Sequence, residues 1–357
     1  MISDRIDNFR RDMNESIDLM LVLNPKNVFY FSNYYPHADA FLFISNGGKE
    51  LMVPSLEHDD ARTRASHLDI IKMDGNTRLL DILVNALKDK KVKNVGIEEN
   101  FITFDYFTYI QKKLEDINLI PANNMITKLR YQKNDKEIAL MQKAADATDA
   151  AMKVAINSLK VGMTETEVAG IIEHEMRKKG SQGTAFDTIV ASGPNSALPH
   201  ATTSERKIQK SEFVLMDIGA LYGGYCSDMT RTVVLGKPKD KQREFYKTVL
   251  KAKKQAEAGF KMKMLGKDLD KIPRKIIDIE LGMPFIHGLG HGVGIDIHES
   301  PSVGPSSEDV LDEGTVFTIE PGVYEFEYGG VRLEDTYYVK YDGSLVPLNK
   351  VPFEFEI

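Results

Sequence analysis

EFVLMDIGALYGGYCSDMTRTVVL, residues 212–235, reads as two apolar strands joined near a glycine pair. It follows long helical segments, and helices giving way to strands favour an α+β arrangement. Each strand carries an acid, Asp217 and Asp228, where an unpartnered carboxylate costs most. The two lie symmetrically about the Tyr222–Gly223 bond. A hairpin turning there would set them directly opposite, with Cβ atoms about 5 Å apart. Like charges that close, in a medium of low dielectric, repel strongly unless a proton or a cation intervenes.

The problem recurs downstream. Glu320 sits in TVFTIEPGVY and Glu334 in GGVRLEDTYYV, on either side of a turn signalled by Gly329 and Gly330. Between the two pairs, IHGLGHGVGIDIHES (Ile286–Ser300) crowds His287, His291 and His298 among glycines, with Glu299 directly after. One acid in a strand is ordinarily an edge position or a satisfied polar group, and one histidine in such a run is ordinarily solvated or packed. Four acids and an imidazole together suit two divalent cations, His291 supplying the nitrogen. Oxygen-rich sites with one imidazole fit Mn²⁺, Co²⁺, Zn²⁺ or Fe²⁺ better than Ca²⁺. Such ions lower the pKa of bound water to about 7, and hydrolysis is the reaction they suit. Cys226, beside Asp228, is expected to be a packed thiol.

Working outward, 357 residues make two domains the better expectation. Hydrophobic content of 42% and charged content of 28% are those of an ordinary globular chain. A net charge of −7 with scattered Lys and Arg argues against a nucleic-acid surface. The longest apolar runs fall short of a membrane span, and the N-terminus has no apolar leader core. A single cysteine suits a reducing compartment, so the expected location is the cytoplasm.

The first third alternates strand-like runs (DLMLVL, FLFIS, ELMVP, NVGIEE) with amphipathic helices (RLLDILVNALKDKK, TFDYFTYIQKKL), an α/β pattern. PANNMITKLRYQKND is polar and turn-rich, which places a connection there and domains at 1–124 and 125–357. Apolar positions from Ile138 to Leu159 predict a long helix, and Thr164-Glu165-Thr166-Glu167 has the capping-box form at the head of another.

With these motifs in place the chain resembles the metallopeptidases of the pita-bread fold, which include proline dipeptidases (prolidases), Xaa-Pro aminopeptidases and methionine aminopeptidases. The likeness runs through Asp217-Ile218-Gly219, Tyr225-Cys226-Ser227-Asp228-Met229-Thr230-Arg231-Thr232, His287-Gly288-Leu289-Gly290-His291-Gly292-Val293-Gly294, His298-Glu299-Ser300-Pro301, Thr318-Ile319-Glu320-Pro321-Gly322 and Gly330-Val331-Arg332-Leu333-Glu334-Asp335. It implies a creatinase-like α/β domain before a pita-bread catalytic domain. The same likeness makes Asp217 a chelating ligand of one metal, Asp228 and Glu334 bridges to both, and His291 and Glu320 terminal ligands of the second. Glu320 would also shuttle a proton, with a hydroxide shared by the ions attacking the scissile carbonyl. His200, His287 and His298 resemble groups on the substrate side, and Arg332 one that holds a metal-binding aspartate. Short proline-containing peptides are the implied substrates, with a dipeptidase ahead of an Xaa-Pro aminopeptidase. A methionine or broader aminopeptidase and a non-catalytic binding homologue are the alternatives. The family likeness further implies a homodimer, with the Tyr34–Asp39 loop and its His37 as a candidate lid.

Overall fold

The computed structural model describes residues 2–13 and 16–357. It divides into two compact units, Met1–Arg130 and Tyr131–Ile357. In the first, six strands form one mixed sheet in the order Asp69–Lys72, Lys49–Val53, Phe41–Ser45, Leu19–Val22, Asn94–Ile97, Asn118–Pro121. Leu19–Val22 is buried along its whole length, as expected of a central strand covered on both faces. Leu83 and Leu87 from the helix Leu79–Lys90 and Ile110 from Phe104–Lys113 pack in one cluster with Leu19, Phe41 and Val95. The polar segment read as a connection instead folds as the helix Asn123–Tyr131. Tertiary bonds fix it: Tyr30 Oη donates to the Leu129 carbonyl and Arg130 to the Asn27 amide oxygen.

The second unit is built twice over on one plan, a pair of helices backing an antiparallel sheet. Helices Asp135–Ser158 and Glu165–Lys178 each begin with a complete capping box, Asn134 with Glu137 and Thr164 with Glu167. Their apolar faces share a core with Ile189–Ser192, Phe213–Ile218 and Met229–Val234, the three strands of one sheet. Helices Asp240–Gly259 and Gly266–Leu281 share a second core with the other sheet. That sheet holds Gly290–Gly292, Glu299–Val303, Val316–Ile319, Asp335–Val339 and Leu345–Pro347.

The opening hairpin differs from its expected register. Tyr222 pairs with Tyr225, Leu221 with Cys226, and Asp217 with Thr230. The turn therefore falls on Gly223 and Gly224, whose φ angles are +57° and +80°. A two-residue turn of this kind needs positive φ at both central positions, which Tyr222 would adopt only at a cost. Asp228 consequently lies two residues from the position opposite Asp217 rather than facing it. An offset of two keeps both acids on one face of the strand pair. The second hairpin pairs Ile319 with Asp335 and Gly322 with Arg332, so the same register brings Glu320 opposite Glu334. Its turn lies nearer Glu327, left-handed at φ +63°, than the glycine pair that signalled it.

Beneath these strands runs a buried ionic network. Arg231 donates to the carbonyls of Thr230 (3.0 Å), Glu334 (2.6 Å) and Val351 (2.6 Å) and to Asp335 Oδ1 at 2.7 Å. Lys253, fully buried, takes Asp335 Oδ2 at 3.1 Å and Glu257 at 3.0 Å. Removing Arg231 would leave Asp335 Oδ1 and three buried carbonyls without their donor, so Arg231→Leu is expected to lower stability by about 3–5 kcal/mol. Urea unfolding of the chelated full chain measures it; a loss below about 1 kcal/mol would contradict the assignment.

Candidate metal centre

Strand ends deliver the acids and one narrow strand delivers the imidazole. Gly290–Gly292 is wedged between neighbours on both sides: a Cβ on Gly290 would meet the Thr318 carbonyl at 2.1 Å, and one on Gly292 the Ser300 carbonyl at 2.4 Å. The glycines flanking His291 therefore let its backbone approach closely enough to hold the ring in the cleft. His291 Nδ1 lies 3.1 Å from the Gly292 carbonyl, which fixes the proton there and leaves Nε2 to face the acids. Nε2 is 3.6 Å from Asp228 Oδ2 and 3.4 Å from Glu320 Oε1. Atoms about 2.1 Å from a shared ion lie within about 4.2 Å of each other, so these spacings fit common coordination. Atoms of Asp228, His291 and Glu334 all lie within 4.8 Å of one another.

Among the described residues two acid oxygens are buried without any hydrogen-bond partner, Asp217 Oδ1 and Asp228 Oδ1. Orphaned carboxylate oxygens lining one cleft are what a cation site looks like before the cation is counted. Electrostatics agree. Burial, then the charges of Glu334, Asp217 and Glu320, push Asp228 well above the usual carboxylate range. Burial, then Glu320 and Asp217, does the same to Glu334. Glu320 is pushed to about 8, again by burial first. Burial followed by the neighbouring His298 lowers His291 to about 4, keeping the imidazole neutral as a ligand requires. The residues present fit divalent metal, with Asp217, Asp228, His291, Glu320 and Glu334 as the available donors.

All nine sequence-predicted residues line one cleft of about 700 Å³: Asp217, Asp228, His291, Glu320 and Glu334 with His200, His287, His298 and Arg332. Arg332 donates to Asp217 Oδ2 at 2.6 Å. His298 stands edge-on to His291, ring centres 4.2 Å apart. His287 is committed within the protein at both nitrogens, Nδ1 to the Gly288 carbonyl at 2.8 Å and Nε2 to Tyr324 Oη at 3.0 Å. Cys226 is buried, its thiol donating toward the Ile295 carbonyl at 3.6 Å. His37 lies in the first unit, where its backbone N–H donates to Glu57 at 3.2 Å.

Three residues at the site were given no role by the sequence reading. Thr230 Oγ1 donates to Glu334 Oε2 at 2.6 Å and accepts from Arg332 Nε at 3.1 Å. Thr318 Oγ1 donates to Glu320 Oε1 and accepts the His291 backbone N–H, both at 3.1 Å. Each threonine stands two residues from an acid on a strand, a period that places them on the same face and could have revealed them. Tyr324, whose hydroxyl also accepts from Arg332 at 3.0 Å, had no comparable signal.

The model of metallopeptidase family M24 matches residues 139–341, and that of the creatinase/prolidase N-terminal domain matches residues 5–132. The chain belongs to metallopeptidase family M24. Among its relatives, an Xaa-Pro dipeptidase of Pyrococcus furiosus is 38% identical over 96% of this chain and 97% of its own length. A solved Xaa-Pro dipeptidase from Bacillus anthracis superposes with a TM-score of 0.94 at 33% identity, each chain covered in full. A solved X-Pro aminopeptidase from Thermotoga maritima gives 0.90 at 30% identity, covering 99% of this chain and 100% of the other. The α+β architecture expected from the strand-and-helix pattern is that of this M24 enzyme and its N-terminal domain.

Proposed function

We propose that this metallopeptidase hydrolyses Xaa-Pro bonds in short peptides, acting as a proline dipeptidase with two divalent ions. The observation that carries the reading is the cluster of four carboxylates and one imidazole, with orphaned oxygens, at the floor of a cleft of peptide size. Asp217, Asp228, His291, Glu320 and Glu334 would hold the ions, Mn²⁺, Co²⁺, Zn²⁺ or Fe²⁺. Bound there, divalent metal supplies a water of lowered pKa and a Lewis acid for the scissile carbonyl. Glu320 then takes the water's proton and returns it to the proline nitrogen, a leaving group that departs poorly as an anion. His200 and His298 face the cleft as donors to the developing oxyanion. His287 acts from behind them, since Tyr324 ties it to Arg332 and so to Asp217.

The likeness to an X-Pro aminopeptidase keeps one second reading, cleavage of longer Xaa-Pro-Yaa peptides. A homodimer in the cytoplasm completes the proposal; no helix among the described residues is long and apolar enough to cross a membrane. Assay of Ala-Pro and Ala-Pro-Ala after chelation, with Mn²⁺, Co²⁺ or Zn²⁺ restored separately, tests it. Chelation is expected to abolish turnover and one of the metals to restore it, Ala-Pro being preferred by about tenfold or more. Preference for the tripeptide would select the second reading. Turnover indifferent to chelation would sink both.

A further inference from the structure

Away from the metal cluster, one fully buried carboxylate has no evident work at its own helix. Glu165 opens the helix Glu165–Lys178 and is 0% exposed. It does not cap that helix, because Thr164 and Glu167 already satisfy the first turn between them. Its bonds go instead to one remote segment. Oε1 accepts from the Ser192 backbone N–H (2.7 Å), the Ser192 hydroxyl (2.8 Å) and the Asn195 amide (3.1 Å). Oε2 accepts from Asn195 again (3.2 Å), the Ser204 backbone N–H (3.1 Å) and the Ser204 hydroxyl (2.6 Å).

Ser192 and Ser204 are the two ends of the excursion that carries His200 into the cleft. A single carboxylate thus holds both feet of that loop, one on each oxygen. Arg332 reaches the loop near its other extreme, donating to the Pro199 carbonyl at 3.3 Å, beside the histidine. Arg206 reinforces the base, donating to the Ser192 hydroxyl at 2.6 Å while paired with Glu212. Burying a charge is costly unless it is fully hydrogen-bonded, and this one spends every bond on the loop.

We propose that Glu165 is a positioning residue: it clamps the ends of the Ser192–Ser204 loop and thereby sets the place of His200 in the cleft. The inference rests on the peptidase reading for the role of His200. Glu165→Gln tests it, because the amide must present N–H groups to one of the two backbone N–H donors, whichever way it turns.

In the Mn²⁺-loaded full chain the variant is expected to lose about 10- to 100-fold in kcat on Ala-Pro, with metal content unchanged. In a His200→Ala background the same change should cost less than about twofold more, since the clamp then has nothing to position. Deuterium exchange should rise across 192–204 and stay level in Phe213–Ile218 and Met229–Val234. Ser204→Ala, which removes one loop-side donor, should move the same readouts in the same direction by less, and decides the matter if Glu165→Gln does not fold. Unchanged exchange in the loop, or losses that multiply in the double variant, would overturn the proposal. Should the parent chain cleave no Xaa-Pro peptide, the peptidase reading falls while exchange still judges the clamp.

Discussion

Asp228→Asn should leave the chain without measurable peptidase activity, yet more resistant to heat than the parent when both are stripped of divalent metal. The two halves share one cause. In the metal-free chain Asp228 is buried with Glu334, Asp217 and Glu320 as its charged neighbours, and its own charge is unwelcome. Asparagine keeps the shape and needs neither the charge nor the proton that burial forces onto the acid, so the stripped protein gains. With metal the account reverses, for the lost oxygen was one the cation needed. A metal at a hundred times its dissociation constant stabilises a parent chain by about 2.7 kcal/mol, and the variant should forfeit most of that. Turnover should fall at least about 10³-fold, as expected when metal stabilisation worth about 4 kcal/mol is lost. Thermal scans of both proteins, with chelator and with added Mn²⁺, give the four midpoints required. A stripped variant less stable than the stripped parent would show that Asp228 is held by local bonds rather than poised for a cation.

The same acids set the response to pH. A carboxyl whose pKa is raised on folding makes the native state bind more protons than the unfolded one between the two values. Stability of the stripped parent therefore falls as pH rises through that window. For Glu320 the window runs from its ordinary 4.5 to about 8. Divalent metal competes with those protons, so binding near neutrality should release them, and Asp228→Asn should flatten the slope.

Much of this arrangement was legible because chemistry forced rare residues into common contexts. An acid in an apolar strand is conspicuous, and Glu320 and Glu334 keep the facing relation that their flanking strands dictate. The first hairpin was legible in its face and not in its register. Sequence symmetry pointed at Tyr222, whereas backbone sterics chose Gly223 and Gly224. The helix Asn123–Tyr131 escaped because only Ile126 in it is buried, leaving almost no apolar period to read. Thr230 and Thr318 were hidden for another reason: a threonine in a strand is unremarkable until its partner is known, and both partners come from other strands. The internal engagement of His287 depends on Tyr324, a sequence separation of 37 residues that no local motif spans.

Glu320→Gln separates holding a cation from moving a proton. The glutamine amide retains one oxygen able to coordinate and can still accept from the Thr318 hydroxyl, which lies 3.1 Å from Glu320 Oε1. What it cannot do is bind and release a proton near neutral pH. If Glu320 delivers the proton to the departing proline nitrogen, kcat should fall by about 10²- to 10⁴-fold. Metal content and KM for Ala-Pro should change far less, because ground-state binding does not use the transfer. His291→Ala is the contrasting variant, expected to lose metal and activity together. Rate profiles across pH sharpen the comparison, since the residual activity of Glu320→Gln should lack whichever limb reports the missing group. A variant keeping more than about a tenth of parental kcat would hand the proton to another residue. One that emerges without metal would reduce Glu320 to a ligand.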